Sequence, residues 1–227
     1  VKFEDQLLRM LAKHAFAENT GARGLVSAVE KALLDFERKL PSSGINKFPA
    51  TKAIVDHPAA FLKTITAESK KQATHQLFDR LIQQEKDSIK NYLQDNQKSM
   101  AEKYNLTMTP SRIDIVAACY TKSTLDISRV IKKIKSHYDD VKKIELTFFK
   151  NHDINIVLEE DAIDFIIEKL IESPFEFKDV NDKIDQDFQH GLKLAREKTN
   201  RNRFFITRQA LLDPEGYVSE LIRDQIK

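Results

Sequence analysis

One arginine stands apart by its setting. Arg23 lies in Asn19-Thr20-Gly21-Ala22-Arg23-Gly24-Leu25, bracketed by Gly21 and Gly24 and set between two stretches of helical periodicity. The glycines permit a tight, closely packed turn. An arginine in the first turn of a helix sits where unpaired backbone N–H groups already favour an anion such as phosphate. Phosphate recognition is the chemistry this spacing would serve; a helix-start salt bridge is the competing reading.

No other set of side chains forms a catalytic pattern. The six histidines, His14, His57, His75, His137, His152 and His190, lack the spacing of a metal site. Asp56-His57 beside Pro58 reads as a turn. There is no nucleophile elbow of the G-x-S-x-G type. Cys119 is the single cysteine, so no intrachain disulfide can form, and its place on an apolar helical pattern makes it a core residue. Five glycines, none in G-x-x-x-x-G-K-[ST] spacing, leave the chain without a phosphate-cradling loop. No apolar strand ends in paired acids; Glu159-Glu160-Asp161 reads as a helix start, where acids suit the dipole. Alone, the chain should hydrolyse neither ATP nor peptides.

The run from Leu7 to Ser42, LLRMLAKHAFAENTGARGLVSAVEKALLDFERKLPS, resembles the small C-terminal lid subdomain of the ClpX branch of AAA+ ATPases. The resemblance rests on the GARGL turn, on Glu30, Leu33, Leu34 and Asp35 after it, and on Leu40-Pro41-Ser42. It covers about the first quarter of the chain. It implies that Arg23 is the sensor-2 residue, reaching from the lid to ATP phosphates, with Gly21 and Gly24 shaping its turn and Leu25, Val29 and Phe36 holding that turn rigid. ATP, with Mg²⁺, would be bound only in a full-length protein. That protein would assemble into a ring, unfold or remodel protein substrates and deliver them to a partner protease. The rival reading is a non-catalytic helical scaffold or adaptor.

The elements that must position Arg23 follow from periodicity. Val1 to Glu4 alternate like a short strand. From Asp5, the residues Leu7, Leu8, Leu11, Ala12, Ala15 and Phe16 follow helical spacing up to Asn19. A second helix is expected from Ala22 to Leu40, ended by Pro41. Ile45 to Pro49 reads as extended, with a short helix near Thr51 to Val55. From Pro58 to Lys103 Gly and Pro are nearly absent, and the spacing predicts one long helix of roughly 35 to 45 residues, ~50–70 Å. Thr109 and Pro110 open another helix as N-cap and N1. Ser123 or Thr124 caps the next, with Leu125, Ile127, Val130, Ile131, Ile134 and Tyr138 inward.

Residues 154–222 echo residues 1–65. Phe3, Leu8, Leu11, Ala12, Ala15 and Phe16 correspond to Leu158, Ile163, Ile166, Ile167, Leu170 and Ile171 at an offset of 155. Phe48, Thr51, Pro58 and Phe61 correspond to Phe204, Thr207, Pro214 and Tyr217 at an offset of 156. The second copy has neither arginine nor glycine in its turn, Ser173 to Lys178, which suits a structural or docking role. The expected fold is mainly α (α+β): two lid-like units, residues 1–65 and 154–227, joined by a helical insertion, residues 66–153, that holds the long helix.

The totals bound the remaining classes. The chain has 227 residues, 32% charged and 41% hydrophobic, with a mean hydropathy of −0.47, and no apolar run long enough for a transmembrane helix. No signal-peptide pattern is present, one cysteine suits a reducing compartment, and a cytoplasmic location is expected. The start on Val1 reads as that of a piece of a longer protein. Net charge is +2 overall, but residues 1–65 carry +3, residues 66–153 carry +4 and residues 154–227 carry −5. The basic middle lacks aromatic stacking motifs, which disfavours nucleic acid as a partner.

Overall fold

The structure is a computed structural model and describes residues 1–17, 21–123, 125–173 and 176–223. In chain order its elements are β1 (Lys2–Phe3), α1 (Asp5–Ala17), α2 (Gly21–Lys39), β2 (Pro49–Ala50), α3 (Ala53–Asp56), α4 (Pro58–Thr66), α5 (Lys71–Asp95), α6 (Gln97–Tyr104), α7 (Pro110–Lys122), α8 (Ile127–His152), β3 (Asn155–Leu158), α9 (Glu160–Glu172), α10 (Phe177–Thr199), β4 (Arg203–Ile206), α11 (Arg208–Leu212) and α12 (Pro214–Arg223). Single 3₁₀ turns fill Pro41–Ser43 and Glu68–Lys70. The fold is mainly helical, with two small parallel sheets. No helix among the described residues is long and apolar enough to cross a membrane.

The chain divides into two compact units, Val1–Ser88 and Ile89–Lys227. In the first, β1 pairs with β2 in parallel, and the α1–α2 crossover that a parallel pair requires supplies the core. Leu7, Leu11, Leu33, Phe36, Phe48, Ala50, Ile54 and Ile65 are buried together. The Phe36 ring lies 5.2 Å from Phe48 and 6.0 Å from Phe61, centroid to centroid. In the second unit β3 and β4 pair in parallel. Its core joins Ile113, Val116, Ile131 and Ile134 to Ile163, Ile167, Phe188 and Phe204, so α7 and α8 share one interior with the second repeat.

The two repeats agree in register. Phe3 pairs with Ala50 and Leu158 with Ile206, the same partners at offsets of 155 and 156. The Glu4 amide donates to the Ala50 carbonyl at 2.8 Å, and the Glu159 amide to the Ile206 carbonyl at 2.9 Å. Before the Pro-started helices, the His57 amide donates to Ala53 and the Asp213 amide to Gln209, both at 3.0 Å. Ladder, crossover and corner recur together in the two units.

The single long helix expected from Pro58 to Lys103 is three helices. Ala67 turns extended (ψ 124°) after α4, and Asn96 leaves helical geometry (φ −108°, ψ 17°) between α5 and α6. Neither residue is Gly or Pro; at Asn96 the side-chain Nδ2 donates to the Tyr92 carbonyl at 2.8 Å, sharing it with the Asn96 amide at 3.2 Å. Thr109 caps α7 as expected, its Oγ1 accepting from the Arg112 amide at 3.0 Å, with Pro110 behind it. The cap of α8 is Asp126, whose carboxylate accepts from the Arg129 amide. Ser123 instead closes α7, and Thr124 lies outside the described residues. Left-handed Asn105, Asp153 and Asn200 end α6, α8 and α10, using the tolerance of Asn and Asp for positive φ.

Candidate functional site

Arg23 stands in the first turn of α2 with its side chain exposed, while Gly24 beside it is buried. Gly21 is the first helical residue; Glu18, Asn19 and Thr20, which lead into it, lie outside the described residues. Of the residues expected to hold the turn rigid, Phe36 is fully buried and Val29 is half-buried. Leu25, on the same helical stripe but at the start of α2, is 40% exposed. An arginine so placed can meet an anion presented from outside, with the helix N-terminus adding favourable potential.

A groove of ≈290 Å³ opens elsewhere in this unit, lined by Leu11, His14, Lys31, Asp35, Phe36 and Pro58 among others. It does not include Arg23, Gly21 or Gly24. Arg23 and this groove are separate features of the first unit.

The second unit holds a polar centre that the sequence reading missed. The Arg112 guanidinium is wholly shielded from solvent. Its Nε donates to Asp164 Oδ1 at 2.8 Å, Nη2 donates to Glu160 Oε2 at 2.7 Å, and Nη1 donates to the Thr107 carbonyl at 2.5 Å. Thr109 Oγ1 donates to Asp164 Oδ2 at 2.7 Å. The guanidinium stacks 4.9 Å from the Tyr138 ring centre, and Tyr138 Oη donates to Glu160 Oε1 at 3.1 Å. Burial and the Glu160 charge push the Tyr138 phenol up from its ordinary value.

This cluster ties α7, α8 and α9 together. Nε, Nη1 and Nη2 of Arg112 each donate to an acceptor of this unit, which makes the cluster an internal clamp. A signal for it existed: Arg112 falls on the stripe of Ile115, Val116 and Cys119, and Asp164 on the stripe of Ile167 and Ile171. Opposite charges placed on two apolar stripes mark a buried pair.

Cys119 is buried. Among the described residues no three His, Cys, Asp or Glu side chains gather as a metal ion would require. His152 Nε2 lies 2.5 Å from Asp185 Oδ1, which joins α8 to α10. No family model matches this chain, and no solved structure matches it.

Proposed function

We propose that the chain is the C-terminal region of a ClpX-like AAA+ ATPase, its first unit acting as the lid that presents Arg23 to ATP. The observation that carries this reading is the exposure of Arg23 in the first turn of α2, in a unit whose strand–helix–helix–strand order agrees with the GARGL resemblance. The phosphate-cradling loop and the Mg²⁺-holding acids would come from another part of the parent protein. Within this chain Arg23 would neutralise charge on the terminal phosphates, as arginines do in phosphoryl transfer. Lid orientation would then follow nucleotide state and drive unfolding or remodelling of protein substrates in a cytoplasmic ring, with a partner protease downstream.

The second reading is a non-catalytic helical scaffold or adaptor. It is favoured by the second unit, which keeps the strand register yet has no arginine in the equivalent turn, Ser173 to Lys178. One substitution separates the two. Arg23→Ala in the intact parent protein should cut ATP turnover at least tenfold while circular dichroism and melting temperature stay unchanged. Undiminished turnover, or a parent without a phosphate-cradling loop, would leave the scaffold.

A further inference from the structure

We propose that the groove between α1, α2 and α3 binds a free aromatic amino acid, its ring on the apolar floor, its carboxylate met by Lys31 and its ammonium by Asp35. The groove is ≈290 Å³, at the small end of ligand-binding clefts, about 300–1,000 Å³. Leu11, Phe36 and Ile54 line its floor and are at most 2% exposed, so the core of the unit is closed beneath it. His14, Lys31 and Asp35 also line it and are exposed. Among the described residues, none of these three has a hydrogen-bond or ion-pair partner. Lys31 and Asp35 share the i, i+4 spacing at which Lys52 and Asp56 do pair, at 3.3 Å.

The second repeat shows what this face of α2 lacks. Counted from the first residue of each helix, Gly21 and Phe177, Ala28 and Ala32 stand where α10 has Ile184 and Phe188. Those two side chains are 3% and 0% exposed, and the Phe188 ring lies edge-on to Tyr217 at 6.2 Å between centroids. Ile54 in the place of Ala210, and Phe36 in the place of Leu192, return some of that volume to the first unit. A groove nonetheless remains along Ala28 and Ala32. Asp35 stands where α10 has Gly191, the residue against which Val218 of α12 packs. The first unit therefore has two methyl groups and a carboxylate on a helix face that the second unit fills with apolar side chains.

The two charges select the occupant. Side chains at i and i+4 of a helix are neighbours, about 5–6 Å apart at Cβ. A ligand with a carboxylate alone would meet Lys31 but be repelled by Asp35, and an amine alone would have the reverse fault. A zwitterion satisfies both, and an amino acid carries its ammonium and carboxylate on one carbon. The His14 ring can donate a further N–H to the carboxylate. Phe36 in the lining offers an aromatic ligand the edge-to-face contact that Phe188 makes with Tyr217. The groove does not include Arg23, so this site stands or falls apart from the nucleotide reading.

The test titrates the full chain with L-phenylalanine, followed by isothermal calorimetry and by backbone amide NMR shifts. The expected result is saturable one-to-one binding, with shifts centred on Ala28, Lys31, Ala32 and Asp35. N-acetyl-L-phenylalanine, which lacks the ammonium, and L-phenylalaninamide, which lacks the carboxylate, should each bind about tenfold more weakly. Lys31→Ala and Asp35→Ala should weaken L-phenylalanine by a similar factor, with unchanged circular dichroism because both residues are exposed. Ala32→Phe, which fills the groove from within as Phe188 does on α10, should abolish binding. The absence of saturable binding overturns the proposal. So does equal affinity for either blocked amino acid, which would mark the site as one for a peptide end. An affinity that Lys31→Ala, Asp35→Ala or Ala32→Phe leaves unmoved overturns it as well.

Discussion

Arg112 and Asp164 meet through one carboxylate oxygen: Nε and Nη2 of the guanidinium lie 2.8 Å and 2.6 Å from Asp164 Oδ1, leaving Oδ2 to accept from Thr109. Two charges that would each be costly alone are thereby balanced in the interior, with Glu160 as a second, partly exposed counter-charge. Removing one partner strands the other. Arg112→Met should destabilise the second unit by about 3–5 kcal/mol in urea unfolding, and Arg112→Met with Asp164→Leu should recover most of the loss. Equal instability in the single and double variants would show that packing, and not charge, is what Arg112 contributes.

Thr109 and Asp126 cap consecutive helices, but only Thr109 also donates to a buried carboxylate. Asp126→Ala should cost about 1 kcal/mol, the ordinary loss of an exposed cap. Thr109→Ala should cost about 2–3 kcal/mol, because Asp164 Oδ2 loses its donor as well. Thr109→Ser should restore nearly all of it. Chemical denaturation of the three variants gives the order.

Gly191 in α10 allows α12 to pack closely. A Cβ added there would lie 2.7 Å from Val218 Cγ2 and 3.0 Å from Cγ1, and the β-branched valine has little rotamer freedom with which to yield. Gly191→Ala should therefore destabilise the protein by about 1–2 kcal/mol, overpacking outweighing the helix-propensity gain of about 1 kcal/mol. In a Val218→Ala background the same change should become neutral or stabilising. Thermal melts of the four-member cycle measure the coupling.

Burial pushes the Tyr217 phenol up to about 12 from its ordinary value of 10.0, while its hydroxyl donates to the Phe205 carbonyl at 2.8 Å. Its folded-state value lies above the unfolded one, so its contribution is complete below about pH 10 and is lost as pH rises towards 12. Tyr217→Phe should lower stability at neutral pH by about 1 kcal/mol, for the lost hydrogen bond, and flatten the alkaline decline. Unfolding curves from pH 8 to 12, with phenolate absorbance followed in parallel, check the sign.

Much of the fold was legible because periodicity and caps carried it. Leu7, Leu11 and Ala15 announced α1, Thr109-Pro110 announced α7, and offsets of 155 and then 156 announced the matching strand register. The breaks at Ala67 and Asn96 were not, since an apolar stripe can resume after one non-helical residue without losing its phase. Asp126 was passed over as a cap because Ser123 and Thr124 stand closer to the preceding helix end. Glu160 read as a helix-start acid, and Arg112 and Asp164, though on apolar stripes, become recognisable as partners only when α7 and α9 are packed together. At the start of α2, residue types did not foretell that Leu25, on the stripe of Val29 and Phe36, would be 40% exposed.

The two ladders differ in length: β1 and β2 pair over two residues each, β3 and β4 over four. Fewer rungs mean fewer amides that must open together, so local fraying begins in the first sheet at smaller thermal excursions. Deuterium uptake should therefore reach Glu4, whose amide bonds to Ala50, before Glu159, whose amide bonds to Ile206. The chain would thus carry one pliant half and one resistant half, cut from the same pattern.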